Sequence, residues 1–208
     1  MLKASYVLVT AIAIATLVPV SLAITGIGPE LSQKPTVGVY DNAESKIADP
    51  KGDAEAVYQK NGTEPVPLVQ EYHDIVGASV VRQGDAFNFS IQLAGNPNNN
   101  VNYETVYRWH VVTTSPATNE QQQYAIIFPN FVRGNSTSDG WYFALYDETI
   151  NTFIVNLTKI NGMPEDRVEF AIRDSDIGNP TKFIYWVDVS VRVNATLGEP
   201  DYLMDYAP

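Results

Sequence analysis

The sequence predicts an all-β chain: an antiparallel β-sandwich, Ig-like or jelly-roll-like, preceded by an apolar N-terminal helix. Three observations carry this. From Asp74 onward apolar and polar residues alternate with a period of two, as in Phe87-Asn88-Phe89-Ser90-Ile91-Gln92-Leu93. The alternating runs are rich in Val, Ile, Phe, Tyr and Trp, and turn residues such as Gly95-Asn-Pro97, Gly134-Asn135 and Asn161-Gly162 bound them. Behind the leader there is no convincing amphipathic helix.

The leader, residues 1–28, comes first. Lys3 carries the only side-chain charge before Glu30, and Tyr6–Ile27 is almost wholly apolar. Two readings stand. In one it is a cleaved secretory signal, with Lys3 as n-region, Tyr6–Val18 as h-region and Ser21-Leu22-Ala23 as the small-residue cleavage site. In the other it is a retained anchor, because a spanning helix needs roughly 20 apolar residues and Lys3 would hold the short end in the cytoplasm. Both place the chain from Glu30 onward outside the cytoplasm, extracellular or at the cell surface. Residues 29–70 read as a tether with one β-like run, Thr36-Val-Gly-Val-Tyr40, and a charged turn, Asp49-Pro-Lys-Gly-Asp53.

Residues 71–208 read as the sandwich. Phe87, Phe89, Ile91 and Leu93 share one face, as do Tyr107, Trp109 and Val111. The runs Tyr124–Phe128, Trp141–Tyr146, Phe153–Leu157 and Arg167–Ile172 follow. In Phe183–Val193 the valines 187, 189, 191 and 193 alternate with Asp188, Ser190 and Arg192.

Composition narrows the function. The 208 residues carry a net charge of −11 from 24 acids and 13 bases, so there is no basic patch to neutralise nucleic-acid phosphates. With no cysteine, disulfides, thiolate zinc sites and cysteine nucleophiles are excluded, and stability must come from the core or from assembly. Five Asn-x-Ser/Thr sequons are present, at Asn61, Asn88, Asn135, Asn156 and Asn194. Each is an N-glycan acceptor if the host has the machinery. Asn88, Asn156 and Asn194 fall on the polar phase of their strands, and Asn135 in a turn.

Asp49-Pro-Lys-Gly-Asp53, the run from Asp74-Ile-Val-Gly to Gly84-Asp-Ala-Phe-Asn-Phe-Ser-Ile91, Ile177-Gly-Asn-Pro180 with Phe183, and the terminal Asp205-Tyr-Ala-Pro208 together resemble CBM9-like and DOMON-like β-sandwich modules. The resemblance covers about residues 49–208. The style of the chain is also similar to that of archaeal cell-surface proteins. The resemblance implies a sandwich that binds carbohydrate, haem or calcium, or that serves as a surface module. For calcium, several hard oxygens must converge, and Asp49, Asp53 and Asp74 are the candidates, with Asp85 nearby. For carbohydrate, exposed aromatics would stack on sugar, and Trp141 and Trp186 are the candidates. A haem or copper redox carrier is a remote alternative, since only His73 and His110, with Met163 and Met204, offer such ligands.

Catalysis finds little support. No Gly-x-Ser-x-Gly, His-Glu-x-x-His or phosphate-cradling loop is present, and Asp147-Glu148 and Asp174/Asp176 read as turn acids rather than paired glycosidase carboxylates. The expectation is a non-catalytic, N-glycosylated cell-surface structural or assembly protein: a filament subunit, a surface-layer component or the ectodomain of a membrane complex. Its partners would be copies of itself or other cell-surface and membrane proteins. The alternative is a carbohydrate- or Ca²⁺-binding module. In an assembly, Thr36, Val37, Val39 and Tyr40 form a candidate donor strand for a neighbour's open sheet edge.

Overall fold

The computed structural model describes residues 36–58, 67–100, 103–115, 118–133, 137–193 and 202–207. The leader and the sequon asparagines 61, 135 and 194 lie outside the described residues. The described residues contain no helix long and apolar enough to cross a membrane.

The strands are β1 (Gly38–Asp41), β2 (Glu44–Ala48), β3 (Val57–Tyr58), β4 (Ile75–Gln83), β5 (Ala86–Leu93), β6 (Glu104–Thr114), β7 (Gln121–Arg133), β8 (Thr137–Asp147), β9 (Thr152–Ile160), β10 (Arg167–Arg173), β11 (Lys182–Arg192) and β12 (Tyr202–Tyr206). Helical structure among the described residues is limited to three short 3₁₀ turns. One sheet runs β3-β12-β11-β6-β7-β8-β9, with β1 also on β11, and the other runs β10-β5-β4-β2. Every pairing is antiparallel.

The two-residue period decides which side chains fill the space between the sheets. On β5 the burial alternates strictly, with Phe87, Phe89, Ile91 and Leu93 inward. They meet Tyr107, Trp109, Phe128, Tyr185 and Val187 from the large sheet in one core. The aromatic rings interlock: Phe89 packs edge-on to Trp109 at 4.9 Å between centroids and stacks on Phe170 at 5.3 Å. Such pairs add about 0.5–1.5 kcal/mol beyond area burial.

The stretch expected as a tether supplies β1, β2 and β3, each paired within the chain's own sheets. β1 overlaps the β-like run Thr36–Tyr40, while β2 and β3, five and two residues long, are too short for their alternation to stand out. Tyr40 anchors β1. It is fully buried, stacked on Phe183 at 4.7 Å and edge-on to Phe87 at 5.2 Å. Gly38 is required beside it, because a Cβ there would sit 2.4 Å from the Tyr185 ring. β1 pairs with residues 182–185 of β11, and β12 with residues 188–191 of the same strand. The two therefore lie end to end along one side of β11, joined by the Thr36 N–H donating to Ala207 O at 2.9 Å. The start and the end of the described fold close the same sheet position.

Candidate cation site

One pole of the sandwich gathers acid from three stretches of chain. Asp49 follows β2, and Asp53 lies four residues on. Asp74 precedes β4, and Asp205 is in β12. Backbone bonds fix their approach. Asp49 N–H donates to Val76 O at 3.1 Å, and Glu55 N–H to Met204 O at 2.9 Å, so the β2–β3 loop straddles β4 and β12. Ile75 N–H donates to Asp205 Oδ2 at 2.7 Å, and Gly52 N–H to Asp74 Oδ2 at 2.8 Å. Gly52 closes the Asp-Pro-Lys-Gly turn at φ +89°, a left-handed conformation that glycine adopts without strain.

The ligand-type oxygens of Asp49, Asp53 and Asp205 all lie within 4.8 Å of one another. Asp205 is 3% exposed and Asp74 5% exposed. Both oxygens of Asp49 and Oδ1 of Asp74 are shielded from solvent and accept no hydrogen bond. Withdrawing an anion from water without a donor costs several kcal/mol. The carboxyls respond. Burial first, then the charges of Asp205, Asp53 and Asp74, push Asp49 up to about 8. Burial, then Asp53 and Asp74, push Asp205 up to about 8, against the pull of the Ile75 and Tyr206 N–H groups. Burial also raises Asp74, with the Gly52 N–H opposing it. His73, next in sequence, is 2% exposed, and burial lowers it to about 4. It is therefore neutral at pH 7 and compensates none of this charge. Its Nδ1 accepts from Gln70 N–H at 3.2 Å.

Of the residues expected at a calcium site, Asp49 and Asp53 converge, and Asp74 acts on them through its charge. Asp85 does not belong. It is exposed in the β4–β5 turn, and β4, at about 3.3 Å per residue, holds it more than roughly 25 Å away. Asp205 was not expected. Its signal was a lone acid within Tyr202-Leu-Met-Asp-Tyr206, a strand otherwise apolar or aromatic.

The remaining expected positions have structural neighbours. Trp141 and Trp186 are corrections to the stacking expectation. Trp141 is 3% exposed and lies in the core, its Nε1–H donating to Asn98 Oδ1 at 3.0 Å. Asn130↔Trp141 pairing holds it inside the sheet. Trp186 faces outward, as its phase implies, yet Val37, Val112 and Ile184 pack around it and His110 stacks on it at 4.7 Å. His110 Nε2 is 2.7 Å from Asp188 Oδ2. Burial of Asp188 is outweighed by Arg108 and His110, which hold its carboxyl below the usual range. Met204 is in the main core. The turn acids have local roles. Asp147 Oδ1 accepts from Thr149 and Ile150 N–H, Asp174 pairs with Arg82 and Asp176 pairs with Arg173. Of the donor-strand candidates, Val39 and Tyr40 are in β1, paired with β11 of the same chain, while Thr36 N–H donates to Ala207 O and Val37 packs by Trp186. Asn88 is half-buried and Asn156 exposed.

Compared with known proteins, the chain matches no family model, no curated protein and no solved structure.

Proposed function

We propose that the chain is an exported, non-catalytic β-sandwich module of the cell surface whose acidic pole binds a divalent cation, Ca²⁺ by its ligand type, and that the cation holds the fold closed. The observation that carries this is Asp49: a carboxylate with both oxygens shielded and no donor, set among acids within 4.8 Å. Such a group must take a proton or a cation. All-oxygen, carboxylate-rich sites suit Ca²⁺, which binds oxygen at about 2.3–2.6 Å. The Asp49, Asp53 and Asp205 oxygens, all within 4.8 Å of one another, are near enough to share one ion. Mg²⁺, which binds at about 2.0–2.1 Å, usually keeps several waters and takes only one or two carboxylates. The oxygens come from two segments, the β2–β3 loop and β12, with Asp74 at the entry to β4 adding its charge, so an ion there ties β12 to the loop.

The leader and sequons support the surface placement, and the acidic, cysteine-free composition fits a structural role. A second reading concerns assembly. β1 lies at a sheet position it shares with β12, and exchange of β1 between copies would preserve every contact it makes, as in domain swapping.

Thermal unfolding with millimolar Ca²⁺ against chelator tests the proposal, because a ligand bound only by the native state raises its stability. An upward shift with Ca²⁺ supports it, and equal midpoints overturn it.

A further inference from the structure

β9 ends the large sheet, and no described strand pairs with its outer side. Four of the seven large apolar side chains that stand exposed among the described residues are here or in the preceding turn: Ile150 at 66%, Phe153 at 48%, Ile154 at 41% and Leu157 at 49%. The rest of the chain is acidic, yet no charge occurs between Glu148 and Lys159. An unpaired, uncharged strand rich in β-branched and aromatic residues, with no proline, is a template for pairing with another chain. Two β-bulges opposite β8, at Phe143/Leu145 and Leu145/Tyr146, disturb the strand, and bulges blunt edges only in part.

In the middle of this stretch is a sequon. Asn156 is exposed and lies between Ile154 and Leu157, and Thr158 Oγ1–H donates to Asn156 O at 2.7 Å. Asn156 and Ile154 are both exposed and two residues apart, so a sugar on the Asn156 amide nitrogen would begin close to that side chain. We infer that Asn156 is an N-glycosylation site whose glycan covers the apolar edge of β9 and closes it to pairing with a second copy. The inference rests on the exported reading of the chain. A bulky hydrophilic group on an edge strand does what a charge or a proline does elsewhere: it denies a neighbour the approach that ladder hydrogen bonds require. The half-buried Asn88 is a different case, since its strand β5 is flanked by β4 and β10 on both sides.

The test uses the full chain made in a glycosylating host. Glycopeptide mapping should find sugar on Asn156. Thr158→Ala and Asn156→Gln, which abolish the acceptor, should form dimers or larger species in light scattering after size exclusion. They should also bind the apolar-surface dye anilinonaphthalene sulfonate several-fold more strongly, with far-UV dichroism unchanged. Thr158→Ser keeps the sequon and should behave as the wild type. Adding Ile154→Lys to Asn156→Gln should restore the monomer. If no sequon on the chain is occupied, the exported reading fails and this inference with it. If other sequons are occupied and Asn156 is bare, this inference alone is overturned. It is equally overturned if Asn156 is occupied and both acceptor variants stay monomeric with unchanged dye binding.

Discussion

Replacing Asp49 by asparagine should move stability in opposite directions with and without calcium. The amide has nearly the shape of the carboxyl, so packing is conserved. It removes one negative charge, and its NH₂ can donate to the oxygens of Asp53 and Asp205, which lie within 4.8 Å. Asp49 is pushed from 3.8 to about 8 by burial and its acidic neighbours. At 1.36 kcal/mol per unit such a shift sets a ceiling of roughly 5–6 kcal/mol. Asp49 is only half-buried and its acidic neighbours respond to the same charge, so the realised gain is about 1–2 kcal/mol. For a domain of this size each kcal/mol moves the midpoint by about 2–4 °C. In chelator at pH 8, Asp49→Asn should therefore melt about 2–8 °C above the wild type. With Ca²⁺ at a hundred times its dissociation constant the wild type gains about 2.7 kcal/mol, and the variant, missing a charged ligand, gains little. The order of the two midpoints then inverts. Differential scanning calorimetry on both proteins in both buffers reads it. If Asp49→Asn melts lower than the wild type in chelator, or if both show the same calcium shift, the reasoning fails.

The pH dependence follows from the same groups. Asp49 and Asp205 have folded pKa values raised above 3.8 to about 8, so the folded chain binds extra protons. The stability this brings is full below about pH 4 and is lost as pH rises through about 8, so in chelator these groups lower the midpoint between pH 5 and 8. Saturating Ca²⁺ should flatten that fall, and thermal scans at each pH check both curves. Tyr40→Ala should cost about 3–5 kcal/mol, the range for buried aromatics, because the ring is fully buried against Phe87 and Phe183. Tyr40→Phe should be neutral or stabilising, since the hydroxyl is buried without a partner. Urea unfolding of the pair separates ring from hydroxyl. Gly38→Ala should cost about 1–3 kcal/mol through overpacking on Tyr185, read as a lowered urea midpoint at unchanged slope.

The sandwich was legible wherever strands were long. Phe87 to Leu93 and Phe183 to Val193 alternate clearly enough to fix the strands; on β5 the buried side matches the phase, whereas on β11 the opposite phase, Trp186, Asp188 and Ser190, is buried as well. Of the short strands, β1 overlaps the β-like run Thr36–Tyr40, but β2 and β3, at five and two residues, show too little period, and Tyr40 earns its place only from Phe87 and Phe183 across the core. Two of the three converging acids were legible, since Asp49 and Asp53 share one turn. Asp205 joins them only through the pairing of β12 with β11, a contact that no local pattern announces. Trp141 shows the opposite limit: expected as an exposed stacking ring, it is held in register with Asn130 and buried. On β11 the outward phase of Trp186 was readable, but the cover supplied by Val37, Val112 and Ile184 was not.

Titration calorimetry of the chelator-stripped chain with Ca²⁺ near pH 7, repeated in buffers of different ionisation enthalpy, tests the acidic pole most directly. Binding with a dissociation constant at or below the millimolar range of extracellular sites is expected, at one ion per chain. Proton release should accompany it as Asp49 and Asp205 ionise, and Asp49→Asn should abolish it. No binding heat at millimolar Ca²⁺, or binding that Asp49→Asn leaves unchanged, would contradict the proposed site.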